Sequence, residues 1–183
     1  MRSRCSSWKG STARATPFTS RWKGIISPSA PSPSDADVAG IRLALDLARQ
    51  AREKSEIPVG AVVMRGEVVI SSAHNETVAR RDPTAHAELL ALQRAIAAEQ
   101  SDRLPGATLY VTLEPCAQCA GAAVLTKIER VVFGAWDERA GMSGSVHDLL
   151  RHPSLNHRAA VTGGVLESEC GDLLREFFAE KRR

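Results

Sequence analysis

The stretch ATLYVTLEPCAQCAGAAVLTKIERVVFGA, residues 107–135, contains the pattern that decides the fold. Its first seven residues predict a strand, and EPCAQCAGAAVLTKI predicts a helix that begins at Pro115 and is rich in small residues. RVVFGA predicts a second strand. A strand, a helix and a strand in this order favour two parallel strands joined by a helical crossover.

The sequence on either side continues this alternation of helices and strands. Asp82 and Pro83 indicate the start of one further helix, because Asp is a common cap and Pro suits the first helical position. The further predicted elements are a helix over 37–54, a hairpin across Gly66, a helix over about 84–98, a short helix over 147–151, a strand over 159–166 and a helix over about 168–182. This order predicts a three-layer α/β/α sandwich around a mixed five-stranded sheet.

Composition favours one globular domain, since 43% of the 183 residues are hydrophobic and 25% are charged. No apolar run reaches the length that a membrane-spanning helix needs, so we expect no membrane partner. We predict a catalytic domain over residues 37–183 and a disordered, basic, Ser- and Pro-rich extension over residues 1–36. That extension also fits an organelle transit peptide or a start site placed too far upstream.

The net charge of +3 comes from the first 34 residues, which hold six basic residues and no acidic ones. From Asp35 onward the chain has 18 basic and 21 acidic residues, a net charge of −3. The overall charge therefore does not indicate nucleic-acid binding, and an RNA contact would need a local basic patch.

Cys116 and Cys119 form a C-x-x-C pair at the start of the predicted helix, where the helix dipole favours thiolates. Without a secretory segment, four cysteines favour a reducing compartment, and we expect a cytoplasmic protein. By itself this pair is equally compatible with a redox site, a zinc site or coincidence.

His86, in PTAHAELLAL, adds a nitrogen ligand at a second predicted helix start. One His and two Cys make three ligands for zinc, and a catalytic zinc site leaves the fourth position to water. A closed structural site would need one more protein ligand, and no candidate has zinc-finger spacing, so we favour the open site. The candidates for a fourth ligand are Cys170, His74, His147, His152 and His157.

Glu88 lies two residues after His86, and two such side chains can converge on one metal only at a helix start. A catalytic zinc ion makes water a nucleophile at neutral pH, and a nearby carboxylate can transfer the protons. The alternative for Glu88 is an acid that complements the helix dipole. Cys116 and Cys119 favour the proton-transfer role.

The combination of H-A-E with P-C-x-x-C resembles the zinc-dependent cytidine deaminase superfamily. The wider segments IPVGAVVM, HNETVARRDPTAHAELLAL, ATLYVTLEPCAQCAGA, RVVFGAWDERAGMSGS and DLLRHPSLNHR resemble bacterial tRNA-specific adenosine deaminases. The resemblance covers about residues 39–182 and implies a cytidine deaminase-like fold.

The resemblance implies hydrolytic deamination of adenosine to inosine at the wobble position of a tRNA, usually an arginine tRNA, by a homodimer with one zinc per subunit. His86, Cys116 and Cys119 would hold the zinc, and Glu88 would transfer protons. An alternative is a deaminase of a free base or nucleotide such as guanine, cytosine or deoxycytidylate, although LNHR and EFFAEKRR disfavour it. A non-catalytic, zinc-stabilised RNA-binding protein would have no use for Glu88.

Five further residues match family positions near the substrate. Asn75 would hydrogen-bond the flipped base or its ribose, Ala87 would present its backbone to the base, and Val59 would form an apolar wall. Asp137 would lie near the RNA backbone and Phe178 near the anticodon loop. Four of them have a plainer alternative: a turn residue for Asn75, strand core for Val59, a solvated loop acid for Asp137 and an ordinary helix end for Phe178.

Gln118 and Met142 depart from the family pattern. Gln118 occupies the place of Met or another apolar residue, and Met142 lies in a loop that is usually built of small residues. Neither change removes a predicted zinc ligand or Glu88. We therefore expect them to affect the shape of the pocket and not the type of reaction.

Overall fold

The computed structural model describes residues 33–182. The helices are α1 (Asp35–Glu53), α2 (Thr77–Arg80), α3 (Ala87–Glu99), α4 (Ala117–Leu125) and α5 (Glu167–Lys181). The strands are β1 (Gly60–Arg65), β2 (Val68–His74), β3 (Thr108–Leu113), β4 (Arg130–Ala135) and β5 (Ala160–Thr162). Nearly all of the predicted extension lies outside the described residues and stays a prediction.

The described strands form one mixed sheet in the order β2-β1-β3-β4-β5. β1 pairs antiparallel with both β2 and β3, and the hairpin between β1 and β2 turns at Gly66, whose φ of 57° is in the left-handed region. β3, β4 and β5 are parallel, with Leu109 opposite Val131 and Val131 opposite Val161. The predicted mixed five-stranded sheet is confirmed.

Two hydrophobic clusters cover the two faces of the sheet. On one face, α3 and α4 pack against alternate strand residues such as Val63, Val111 and Phe133. On the other face, α1 and α5 pack against Tyr110 and Val132. Because neighbouring residues of a strand point to opposite faces, this arrangement gives the three predicted layers.

Several local predictions are wrong. The segment over 147–151 is not helical but forms turns and an isolated bridge between Ser143 and Asp148. The strand predicted over 159–166 is shorter, because two glycines and the turn after them end it at Thr162. No helix within residues 33–182 is long and apolar enough to cross a membrane.

An ion pair connects α1 to the start of β4. The buried carboxylate of Asp37 accepts hydrogen bonds from the Arg130 guanidinium, one of them 2.9 Å long, and from the Ser34 backbone amide. Burial raises the pKa of Asp37, but the hydrogen bonds from Arg130 and Ser34 outweigh it and hold the pKa below its ordinary value of 3.8.

Replacing Asp37 with Asn should therefore destabilise the protein in a pH-dependent way. A lowered folded-state pKa adds stability that is present above the ordinary pKa and lost as the pH falls through the folded value. We expect Asp37→Asn to lower the free energy of unfolding by about 2 kcal/mol at pH 7 and by less near pH 3. Urea unfolding of both proteins at the two pH values measures this, and an equal loss at both would contradict it.

Candidate metal centre

The three predicted zinc ligands lie at two helix starts on the same face of the sheet. His86 is the N-terminal cap residue of α3, and Cys116 is the cap residue of α4. Both have extended backbones, which places their side chains beside the first helical turn and not on it. Cys119 lies one turn into α4 and is fully buried.

Both helices begin later than the sequence predicts. Asp82 does not cap α3, because its carboxylate accepts hydrogen bonds from the Thr84 backbone amide and hydroxyl in a turn. α4 begins at Ala117 and not at Pro115. These shifts bring His86 and Cys116 to equivalent positions at their helices.

The distances between the ligand atoms fit a tetrahedral zinc ion. His86 Nδ1 lies 3.5 Å from Cys116 Sγ and 3.6 Å from Cys119 Sγ, and the two sulfurs are 3.7 Å apart. Tetrahedral zinc with Zn–S bonds of about 2.3 Å and a Zn–N bond of about 2.0 Å requires about 3.5 Å between N and S and about 3.8 Å between sulfurs. The three side chains are therefore already spaced as three corners of a zinc tetrahedron.

No fourth protein ligand joins them within residues 33–182, where this trio is the one group of His, Cys and acidic residues close enough to hold a metal. Cys170 is buried in the cluster on the opposite face of the sheet. His74 interacts with Lys54 and Asn75, and His157 with the Ile128 carbonyl. The rings of His147 and His152 contact each other. This arrangement favours the open type of site.

Glu88 lies in the first turn of α3 and is only 4% exposed. Burial is the main cause that raises its pKa from 4.5 to about 7, against the opposing effect of nearby His86. Its carboxyl group also interacts with the Cys119 thiol. Glu88 can therefore both hold and release a proton near neutral pH, as a general acid and base must.

The two cysteines differ in acidity. The hydrogen bond between the two thiol groups is the main cause that lowers the pKa of Cys116 to about 4. The same interaction, together with burial, raises the pKa of Cys119, and the hydrogen bond with Cys116 raises that of His86. Both sulfurs would have to be thiolates to hold a zinc ion, so binding of the metal would release protons.

The structure brings three of the predicted substrate residues to the same side of the sheet. Val59 and Ala87 are both buried in the cluster beneath α3. The Asn75 backbone amide donates to the Val59 carbonyl. The backbone amide of the next residue, Glu76, donates to the carbonyl of Ala85, the neighbour of His86. Asn75 is therefore adjacent in the fold to the segment that holds His86.

Asp137 and Phe178, the other two predicted substrate residues, line a cavity of about 790 Å³. Trp136 and Phe178 there are 43% and 44% exposed. The cavity also contains basic side chains from the loop after β4 and from the C-terminal segment, together with two further acids. The basic residues are Arg139, Arg175, Lys181 and Arg182, and the acids are Glu138 and Glu167. Exposed aromatic rings with basic groups around them suit the bases and phosphates of single-stranded RNA.

Two buried carboxylates were not identified from the sequence. Glu56 precedes β1 and accepts hydrogen bonds from the Asn75 side chain and from the start of α2. Glu114, two residues before Cys116, accepts from the backbone amides of Asp137, Ser143 and Ser145. An isolated acid inside an apolar stretch, as in SEIPVG or VTLEPC, was the signal that could have identified both.

The two departures from the family pattern also have structural counterparts. Gln118 donates from Nε2 to the Thr84 carbonyl at 2.8 Å, which connects α4 to the segment before His86. Met142 is partly buried, and its amide donates to the Pro115 carbonyl. Both residues therefore contact the segments around the predicted zinc ligands.

Comparison with known proteins identifies relatives along most of the chain. Residues 34–135 match the cytidine and deoxycytidylate deaminase zinc-binding region. A tRNA-specific adenosine deaminase of Bacillus subtilis is 49% identical over 140 residues, which are 76% of this chain and 87% of that protein. One from Aquifex aeolicus is 45% identical over 142 residues, 78% of this chain and 93% of that protein.

Solved structures give the same relationship. A structure from work on A-to-I editing by tRNA:A34 deaminases at the wobble position has a TM-score of 0.71 and 40% identity, covering 74% of this chain and 99% of that one. A guanine deaminase from Nitrosomonas europaea has a TM-score of 0.69 and 26% identity, covering 78% of this chain and 84% of that one. The fold is therefore shared by deaminases of an RNA base and of a free base.

Proposed function

The chain belongs to the cytidine and deoxycytidylate deaminase family and, within it, to the tRNA-specific adenosine deaminases, and from this we propose that it converts adenosine to inosine at the wobble position of a tRNA. The reaction is hydrolytic: water replaces the amino group on the adenine ring, and ammonia leaves. We further propose arginine tRNA as the substrate.

One observation supports this proposal most: three ligand atoms with zinc spacing lie beside a buried carboxyl group whose pKa is about 7. His86, Cys116 and Cys119 would hold the zinc ion. When bound, zinc supplies Lewis acidity that lowers the pKa of water and so provides a nucleophile at neutral pH. A purely structural site would have no need for Glu88 next to its ligands.

Glu88 would transfer the protons that the reaction requires. It would accept a proton from the attacking water and deliver one to the ring nitrogen, so that the ring carbon can take up the new C–O bond. It would then take the remaining proton from the newly attached hydroxyl group and deliver it to the amino group, so that the C–N bond breaks, the ring C=O forms and ammonia departs. Its burial excludes bulk water from these transfers, and a pKa near 7 suits a group that must gain and lose a proton in each cycle.

The other predicted residues would hold the nucleotide. Asn75 would bind the flipped base or its ribose, while Val59 and the Ala87 backbone would face the base. Asp137 and Phe178 would contact the anticodon loop in the cavity that also contains Trp136. A base in an RNA loop costs less to flip out than one in a duplex, which favours an anticodon loop as the substrate.

We also propose that the protein acts as a homodimer in the cytoplasm. The relatives are tRNA-modifying enzymes, and two thiol ligands require a reducing environment to stay available for zinc. Exposed apolar side chains such as Leu125, 75% exposed, and Val146, 52% exposed, are suited to contacts with a second subunit.

Activity measurements on three substrates test the proposed reaction. Zinc-loaded protein would be incubated separately with an arginine tRNA anticodon stem-loop, free guanine and deoxycytidylate, and inosine and ammonia would be quantified. We expect inosine from the stem-loop and negligible ammonia from the other two. Turnover of guanine or deoxycytidylate alone would overturn the RNA substrate, and no turnover of any of them would overturn the enzymatic role.

A further inference from the structure

We propose that Glu56 is a positioning residue for the deamination reaction and that it acts by fixing the side-chain amide of Asn75. This inference rests on the proposed function, because it assumes that Asn75 contacts the nucleotide. Glu56 itself lies outside the metal centre.

The hydrogen bonds around Glu56 use both of its carboxylate oxygens. Oε2 accepts from Asn75 Nδ2 at 3.1 Å, from the Thr77 hydroxyl at 3.3 Å and from the Val78 amide at 3.1 Å. Oε1 accepts from the Ala79 amide at 2.7 Å. The side chain is 1% exposed, so these four donors and not water stabilise its charge.

The amide of Asn75 is held in one orientation by this arrangement. Its Nδ2 group has two hydrogens and two acceptors, Glu56 Oε2 and Thr77 Oγ1, the second at 2.9 Å. Rotating the amide by 180° would place its oxygen against the carboxylate, which is repulsive. Asn75 is 4% exposed, so water cannot compensate for the loss of either bond.

The hydrogen bonds between Glu56 and Asn75 lie next to the segment that carries His86. The Asn75 backbone amide donates to Val59, and the Glu76 amide donates to Ala85, which directly precedes His86. A shift of the 75–79 segment would therefore move Asn75 relative to the metal ligand. Small errors in the position of a substrate-binding group cost large factors in rate.

Glutamine cannot replace Glu56 in this position. Its amide has one acceptor oxygen and one donor nitrogen, whereas both oxygens of Glu56 accept from donors. In either orientation, the NH₂ group of glutamine would face a backbone N–H of α2. Glu56→Gln therefore keeps the size of the side chain and removes the interaction.

The test compares Glu56→Gln, Asn75→Ala and the double variant with the wild type, all loaded with zinc, by kcat and KM on the stem-loop. We expect Glu56→Gln to lower kcat/KM by about tenfold to one hundredfold with zinc content unchanged. In the Asn75→Ala background it should add less than about twofold, since residues that act through one another are not additive. Glu53→Gln, on the exposed side of the end of α1, is the matched control with expected wild-type activity.

Two results would overturn the proposal. One is unchanged kcat/KM in Glu56→Gln, and the other is a loss that multiplies with that of Asn75→Ala, because a general structural role would give independent effects. The Asn75 side-chain amide signal in a ¹⁵N spectrum gives a second readout without RNA, and it should shift in Glu56→Gln and not in Glu53→Gln. An inactive wild type would refute the proposed function, while the spectrum would still decide whether Glu56 fixes Asn75.

Discussion

Glu88→Gln is expected to slow deamination by orders of magnitude while the protein keeps one zinc ion per chain. Glutamine has nearly the same shape, but its amide cannot accept a proton from water and pass it on. General acid and base groups contribute about 10²–10⁴-fold to enzymatic rates, and kcat should fall by a factor in that range. Single-turnover measurements on the stem-loop, with metal analysis of the same sample, would determine both quantities.

The position of Glu88 allows this substitution to distinguish a loss of proton transfer from a loss of zinc. The Glu88 side chain interacts with Cys119, but it does not belong to the group of three residues whose ligand atoms fit the zinc tetrahedron. Zinc content should therefore be unaffected. If zinc were lost together with activity, Glu88 would have to be a ligand or a support for the ligands, and its proposed role in proton transfer would be wrong.

Cys119→Ala is expected to remove both zinc and activity, whereas Cys170→Ala should retain the metal. Both thiols are buried, but Cys119 lies 3.6 Å from His86 Nδ1 and Cys170 packs on the opposite face of the sheet. Two remaining ligands hold zinc far more weakly than three. Because zinc binds the folded state, its loss should also lower the melting temperature of Cys119→Ala.

The two cysteine variants together distinguish an open zinc site from a closed one. Metal analysis after dialysis should give close to one zinc per chain for Cys170→Ala and close to none for Cys119→Ala. Loss of zinc from Cys170→Ala would mean that a fourth protein ligand closes the site. Such a site would have no free position for water, so the proposed hydrolysis would also fail.

Local sequence patterns were sufficient to predict the mixed sheet and to select the three residues that are brought together. His86 precedes a run of Ala and Leu, and Cys116 and Cys119 have a spacing that brings both to one side of a helix start. Each of these patterns lies within a few consecutive residues and can therefore be recognised without knowledge of the fold. The parallel strands followed from the alternation of strands and helices, because crossover connections allow few topologies.

The errors arose where a residue's partner is distant in the chain or lies in a turn. Asp82 forms hydrogen bonds with Thr84 in a turn, and His86 is therefore the N-terminal cap residue of α3. Glu56 and Glu114 contact backbone amides more than 20 residues away, and hydrophobic periodicity contains no information about such contacts. Both are acids within apolar segments, and their burial requires donors that the sequence does not identify.

The carboxylate of Glu114 also limits how the loop over 137–145 can vary in sequence. Its oxygens bind amides at both ends of the loop over 137–145, and a side chain at Gly141 would collide with the same carboxyl group. One buried side chain, two residues before the predicted zinc ligand Cys116, therefore holds both ends of this loop. We expect insertions into the loop to break these hydrogen bonds and so to disturb the neighbouring predicted zinc ligand.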